Sequence, residues 1–165
     1  MLTLFGGCSK PIAHPASRLH QPKGAFSFVT PEGWHRTQLA GIDFIVVSTD
    51  ADYGIQPNIF VKTIQPDTIA HNTASEQNKS NQQNLHAYEL QTQSHFTTRS
   101  HLAGIKTQSS FHNKQGLPLV RFEYFIQDNH RVIAISCTCA EAVQDTYEPI
   151  FDEAIHSLQT ETNIQ

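Results

Sequence analysis

The chain predicts an α+β domain: antiparallel strands joined by hairpins, interrupted once and closed by a helix. Three observations carry that expectation. Alternating apolar and polar residues, rich in β-branched and aromatic types, recur in short runs between residues 25 and 140, with turn signals between them. One long polar stretch, residues 67 to 93, breaks the series. The final run leads into "AVQDTYEPIFDEAIHSLQ", where the spacing changes from two to three and four. A chain of 165 residues is the length of about one ordinary domain, able to bury its core without staples.

Composition narrows the function classes. The chain is 38% hydrophobic and 16% charged, a balance that suits a folded protein rather than a disordered one. Net charge is −4, and Lys and Arg are scattered singly, so the basic stripe of a nucleic-acid binder is missing and no nucleic-acid partner is expected. No apolar run approaches the ~20 residues of a membrane-spanning helix.

Taken in order, "AFSFV" alternates and is followed by Pro31-Glu32-Gly33, a turn in which Pro presets φ and Gly permits positive φ. Trp34 then opens a second short strand, and with Phe26 and Phe28 close by it reads as a plug at the edge of the core. "GIDFIVVSTD" and "PNIFVKTIQ" are two buried strands, with Gly54 the breaker between them. In the polar stretch Ser75 is placed as the cap of a helix that carries Leu85 and Tyr88 inward. Residues 95 to 140 read as a three-strand meander. Two-residue turns at Lys114-Gln115 and Asp128-Asn129 pair Tyr124 with Ile133, Phe122 with Ile135 and Val120 with Cys137, and set Lys106 opposite Glu123 as a cross-strand charge pair. The closing helix carries Val143, Tyr147, Ile150, Phe151, Ala154, Ile155 and Leu158 on one stripe, its regular part starting near Tyr147 or Glu148 because of Pro149.

The three cysteines divide in two. Cys137 and Cys139 share a strand face with Ile133 and Ile135; neighbours there point in parallel, so they read as free, buried thiols rather than a disulfide or a reactive pair. Cys8 sits in "LTLFGGCSK", and Gly6-Gly7-Cys8 resembles the small-small-Cys end of a bacterial lipobox. Phe5 departs from the usual leucine, and "MLTLF" has neither a positive n-region nor a full h-region, so a complete signal requires residues upstream. The resemblance implies lipidation of Cys8. Residues 1–8 are then the remnant of a signal segment, 9–24 a tether containing Pro11, Pro15 and Pro22, 25–160 the domain and 161–165 a tail.

"FSFVTPEGW", an aromatic strand running into Pro-x-x-Trp, together with the terminal strand before "YEPIFDEAIHSL", resembles the PsbP-like fold family and within it the DcrB-type bacterial envelope lipoproteins. The resemblance spans residues 25 to 160. It implies an α-β-α sandwich with a central antiparallel sheet of about six strands and a non-enzymatic role in binding or assembly. The expected protein is therefore an envelope lipoprotein facing the periplasm, with an unidentified protein partner, a membrane contact through the lipid on Cys8, no cofactor, no metal and no catalytic residue. Ten histidines raise the alternative of metal handling. Their spacing opposes it: there is no H-x-H or H-x-x-x-H, and His95 and His101, six residues apart on an expected strand, would lie ~20 Å apart. A hydrolase is the remaining alternative, without a G-x-S-x-G elbow, a C-x-x-C or a glycine-rich phosphate loop to support it.

Overall fold

The computed structural model describes residues 15–20, 26–39, 42–64, 67–129 and 131–160. Residues 1–8, read as a signal remnant ending at Cys8, lie outside these residues, as do residues 161–165, read as a tail, and most of the stretch read as a tether. Arg18–His20, inside that stretch, forms strand β1 and pairs with β2, Phe26–Val29. A short strand near the end of the chain, β10 (Gln159–Thr160), pairs with the other edge of β2, so this three-stranded sheet joins the two ends of the domain.

The main sheet has seven strands: β3 (Trp34–Leu39), β4 (Ile42–Ser48), β5 (Asn58–Ile64), β6 (His86–Thr97), β7 (Ala103–His112), β8 (Pro118–Asp128) and β9 (Arg131–Ala140). Their spatial order is β3-β4-β5-β9-β8-β7-β6, antiparallel throughout. Helix α1 (Ala70–Asn84) packs over β6, β7 and β8. Helix α2 (Gln144–His156) packs over β8, β9 and β2. The two helices use opposite faces. Val120, Phe122, Tyr124 and Ile126 of β8 join the main core under α2, while Phe125 packs with Ala70 and Ala74 of α1. The result is the expected α-β-α sandwich, with seven strands in the large sheet and a small sheet beside α2.

The core under α2 is aromatic. Phe151 is fully buried and meets Trp34, Phe122 and Tyr147 at ring-centroid distances of 5.9, 5.9 and 6.1 Å. Phe28 of the small sheet packs edge-on against Phe44 at 5.6 Å, closing the core from the far side. Trp34 is only 5% exposed and opens β3 as expected, after a turn in which Gly33 takes φ +78° and the Trp34 N–H donates to the Pro31 carbonyl at 3.3 Å. Cys137 and Cys139 are free and buried on the face expected of them.

Both hairpin registers differ from expectation, and each difference has a local cause. Tyr124 pairs with Ile135, Phe122 with Cys137 and Val120 with Cys139, two residues further along β9 than expected. The turn begins at Asn129, which takes φ +50°, while Asp128 and Arg131 close the hairpin as an ion pair at 2.8 Å. A shift of two keeps every side chain on its face. Between β7 and β8 the shift is one, and it changes faces: Lys106 pairs with Tyr124, and Thr107 is opposite Glu123. The expected Lys106·Glu123 pair does not form. The connection spans five residues, 113 to 117, because the Asn113 side-chain carbonyl accepts from the Gln115 and Leu117 N–H groups and Gly116 takes φ +80°. Lys106 instead reaches α2, donating to Glu148 at 2.7 Å and to Asp152 at 2.8 Å.

The helices also differ in detail. Ser75 lies exposed inside α1 rather than at its cap; the first N–H, from Ala70, is accepted by the Gln127 side chain of β8 at 3.0 Å. Leu85 ends the helix and Tyr88 belongs to β6, so the inward residues are Ala70, Thr73, Ala74 and Asn81. Helix α2 begins at Gln144, before the expected start, after a 3-10 turn at Glu141–Val143. Pro149 therefore sits inside it. The missing N–H costs one bond to Asp145 on an exposed side, and burial of Tyr147, Phe151, Ala154 and Ile155 outweighs that loss.

Two measurements check this packing. Trp34→Ala is expected to lower unfolding free energy by about 3–5 kcal/mol in denaturant titration, the usual cost of deleting a core aromatic. Cys137 and Cys139 should be labelled by a thiol reagent only at the rate of unfolding, since burial pushes the Cys139 thiol up to about 12 and raises the Cys137 thiol well above its ordinary value.

Candidate functional site

Opposite charges stand two residues apart on one face of β8. Arg121 and Glu123 alternate with Val120, Phe122 and Tyr124, so they project to the α1 side of a strand that is paired on both edges. Helix α1 covers β6 to β8 and leaves the same face of β4, β5 and β9 partly open. A concavity of about 410 Å³ results, with Ile45, Phe60, Phe125 and Ala134 as apolar lining. Asn58, Gln77, Ser136 and Thr138 supply its neutral polar groups. Register places these residues together: Ile45 pairs with Phe60, Phe60 with Ser136, Ser136 with Glu123, and Thr138 with both Asn58 and Arg121.

Glu123 is 4% exposed. Asn81 Nδ2 of α1 donates to its Oε2 at 2.8 Å, and Ser136 Oγ donates to its Oε1 at 3.1 Å. Asn81 is itself held by Gln77 Nε2 at 2.9 Å. Burial raises the Glu123 carboxyl above its ordinary value, opposed by the charge of Arg121 and by the bonds from Ser136 and Asn81. The guanidinium of Arg121 lies over the Phe111 ring, 4.6 Å from Cζ to centroid. Its Nε is buried and has no hydrogen-bond partner among the described residues. Desolvation lowers its pKa, opposed by Glu123 and Tyr88. Thr107 and Ser109, beside them on β7, bury hydroxyls that also lack partners among the described residues.

At two other places the charges are matched within the fold. On the opposite face the Lys106 ammonium is held by Glu148 and Asp152, and the Tyr124 hydroxyl donates to Asp152 at 2.7 Å, so the cation's needs are met within the fold. A second hollow, about 610 Å³, lies between the Pro31 turn and α2. Its one ion pair, Arg99 with Glu153 at 2.6 Å, is exposed and already matched.

The histidines do not gather. Among the described residues no group of three His, Cys, Asp or Glu side chains could hold a metal ion. His95 lies on β6 and His101, at φ +65°, between β6 and β7. His86 and His112 do meet, as a cross-strand pair with rings stacked at 5.8 Å, but two nitrogens are half of an ordinary zinc ligand set. Cys8 lies outside the described residues. Sequence reasoning missed the Arg121/Glu123 site. The signal was present in "LVRFEYFI", where two charges occupy alternate positions of an otherwise apolar strand with strands on both sides.

The layered architecture is the PsbP-like fold. Cyanobacterial PsbP (CyanoP) from Synechocystis sp. PCC 6803 is similar with a TM-score of 0.67 and 15% sequence identity, over 94% of this chain and 98% of that one. LpqN of Mycobacterium tuberculosis, described as involved in cell envelope biogenesis, is similar with a TM-score of 0.67 and 11% identity, over 87% of this chain and 89% of its own. A Pseudomonas aeruginosa protein of unknown function, PA94, described as a putative regulator, follows with 0.59 and 14%, over 87% and 95%. No protein-family model matches the chain, and no curated protein matches it in sequence. At these identities the likeness is one of fold.

Linkage gives the site a measurable signature. Because the folded Glu123 carboxyl lies above the unfolded value of 4.5, the folded state binds the proton more tightly. Its contribution to stability is fully present below 4.5 and is lost as pH rises through the folded value. Glu123→Gln, with its amide oxygen toward Asn81 and its NH₂ toward Ser136, should therefore gain stability relative to wild type as pH rises from 4 to 8 in parallel urea titrations. A constant difference across that range would contradict the buried-carboxyl assignment.

Proposed function

We propose that the protein is a bacterial envelope lipoprotein, anchored through lipid on Cys8 and facing the periplasm, whose PsbP-like domain is a non-catalytic binding module serving an assembly partner. The observation that carries the binding half is the Arg121/Glu123 concavity: charged groups held in place by the fold, over an apolar floor. The anchor half is supported by Gly6-Gly7-Cys8, by the prolines that follow it and by the DcrB-type resemblance. The fold likeness to LpqN, a protein of cell envelope biogenesis, points the same way. No helix among the described residues is long and apolar enough to cross a membrane, so a lipid would supply the attachment that helices do not. Several acyl chains hold a protein stably where one holds it marginally.

The anchor is tested by expressing the gene from its own locus and fractionating the cells. Wild type should sediment with membranes and incorporate labelled palmitate, and Cys8→Ser should do neither. Equal solubility of the two would remove the lipoprotein reading.

A further inference from the structure

Arg121 and Glu123 share one hollow and carry opposite charges that act on each other through space, without a hydrogen-bonded ion pair between them among the described residues. The Glu123 oxygens are occupied by Asn81 and Ser136, one bond each, and a carboxylate oxygen can accept a further one. Arg121 lies over Phe111 with its buried Nε unpartnered among the described residues. Each charge has lost solvation without a directly hydrogen-bonded ion partner among the described residues, and part of that cost is recovered by a ligand group that supplies one.

We propose that the concavity binds a free α-amino acid with an apolar side chain, its carboxylate on Arg121, its ammonium on Glu123 and its side chain over Ala134, toward Phe60. Spacing favours this ligand. Same-face residues two apart on a strand stand ~6–7 Å apart, and a carboxylate and an ammonium borne on one carbon can reach both side chains from between them. A simple carboxylic acid would satisfy Arg121 but press a like charge on Glu123, and a simple amine would do the reverse. Only a zwitterion compensates both. The hollow of about 410 Å³ lies near the lower end of the size of small-molecule sites, and its floor is hydrocarbon where the side chain would lie. Thr138 and Asn58, paired across β9 and β5 at the rim, add hydrogen-bonding groups at the mouth.

The inference rests on the binding-module reading and is independent of the lipid on Cys8. It is tested by titrating the ¹⁵N-labelled full chain with L-leucine, 4-methylpentanoate and 3-methylbutylamine while following amide NMR shifts. Leucine should give saturable shifts at Glu123, Ser136 and Thr138, and each single-charge analogue should bind about ten-fold more weakly or worse, the loss of one charge-assisted hydrogen bond. Arg121→Gln should weaken leucine and 4-methylpentanoate and spare the amine; Glu123→Gln should weaken leucine and the amine and spare the acid. Ala134→Leu fills the hollow with both charges intact and should abolish all three, which decides the matter should Arg121→Gln lose its fold. The proposal is overturned by an absence of saturable leucine binding, by leucine affinity unchanged in Ala134→Leu, or by 4-methylpentanoate binding as tightly as leucine. Failure here with palmitate still incorporated at Cys8 would sink the ligand and leave the anchored module; leucine bound without lipidation would do the opposite.

Discussion

The constraint on which the molecule depends is that β8 and β9 are covered on both faces by unlike layers. The even-numbered residues of β8 from Val120 to Ile126 enter the aromatic core beneath α2, while Arg121, Glu123 and Phe125 face α1. A slip of one residue would place a guanidinium and a carboxylate among Trp34, Phe151 and Tyr147. Uncompensated burial of a charge costs several kcal/mol, so the register is held by chemistry as well as by backbone hydrogen bonds. The Asn113 side chain, the positive φ at Asn129 and the Asp128·Arg131 pair are the local devices that set it.

The two layers differ in what they leave unsatisfied. Beneath α2 the aromatic rings interlock, and the ammonium of Lys106 is matched by two carboxylates of the helix above it. Beneath α1 the buried helix residues are small or polar, and the sheet presents a carboxyl, a guanidinium and two hydroxyls, three of these four groups with an atom that has no partner among the described residues. A fold is consistent across levels where it only has to be stable, and local violations of that consistency mark the places where something else is bound or done. The α2 layer holds the domain together. The α1 layer carries the candidate site.

The Gly-Gly-Cys motif and the concavity belong to different parts of the chain and make separate demands. Lipid on Cys8 would fix where the domain resides, through a segment preceding the first described strand. The concavity lies on a sheet face built from β4, β5, β8 and β9, remote in sequence from that segment. Address and recognition can therefore be separated by mutation without disturbing one another.

The sequence by itself determined the α+β class, the locations of β7, β8 and β9, the face of Cys137 and Cys139, the burial of Trp34 and the stripe of α2, because periodicity and turn residues act locally, whereas β6 was hidden in a polar stretch read as helix. It also contained Arg121 and Glu123 as alternate charges in an apolar strand, a pattern that local rules assign to a cross-strand partner. Only tertiary structure decided who that partner is. A five-residue loop in place of a two-residue turn changed the parity between β7 and β8, sent Lys106 to α2 and left Glu123 to Asn81 and Ser136. Loop length is settled by side-chain capping at Asn113, which is local, and by what each strand face can bury, which depends on residues far apart in the chain. The concavity has the same origin: four strands and a helix must be assembled before Ile45, Gln77, Phe60, Arg121 and Glu123 can share one space.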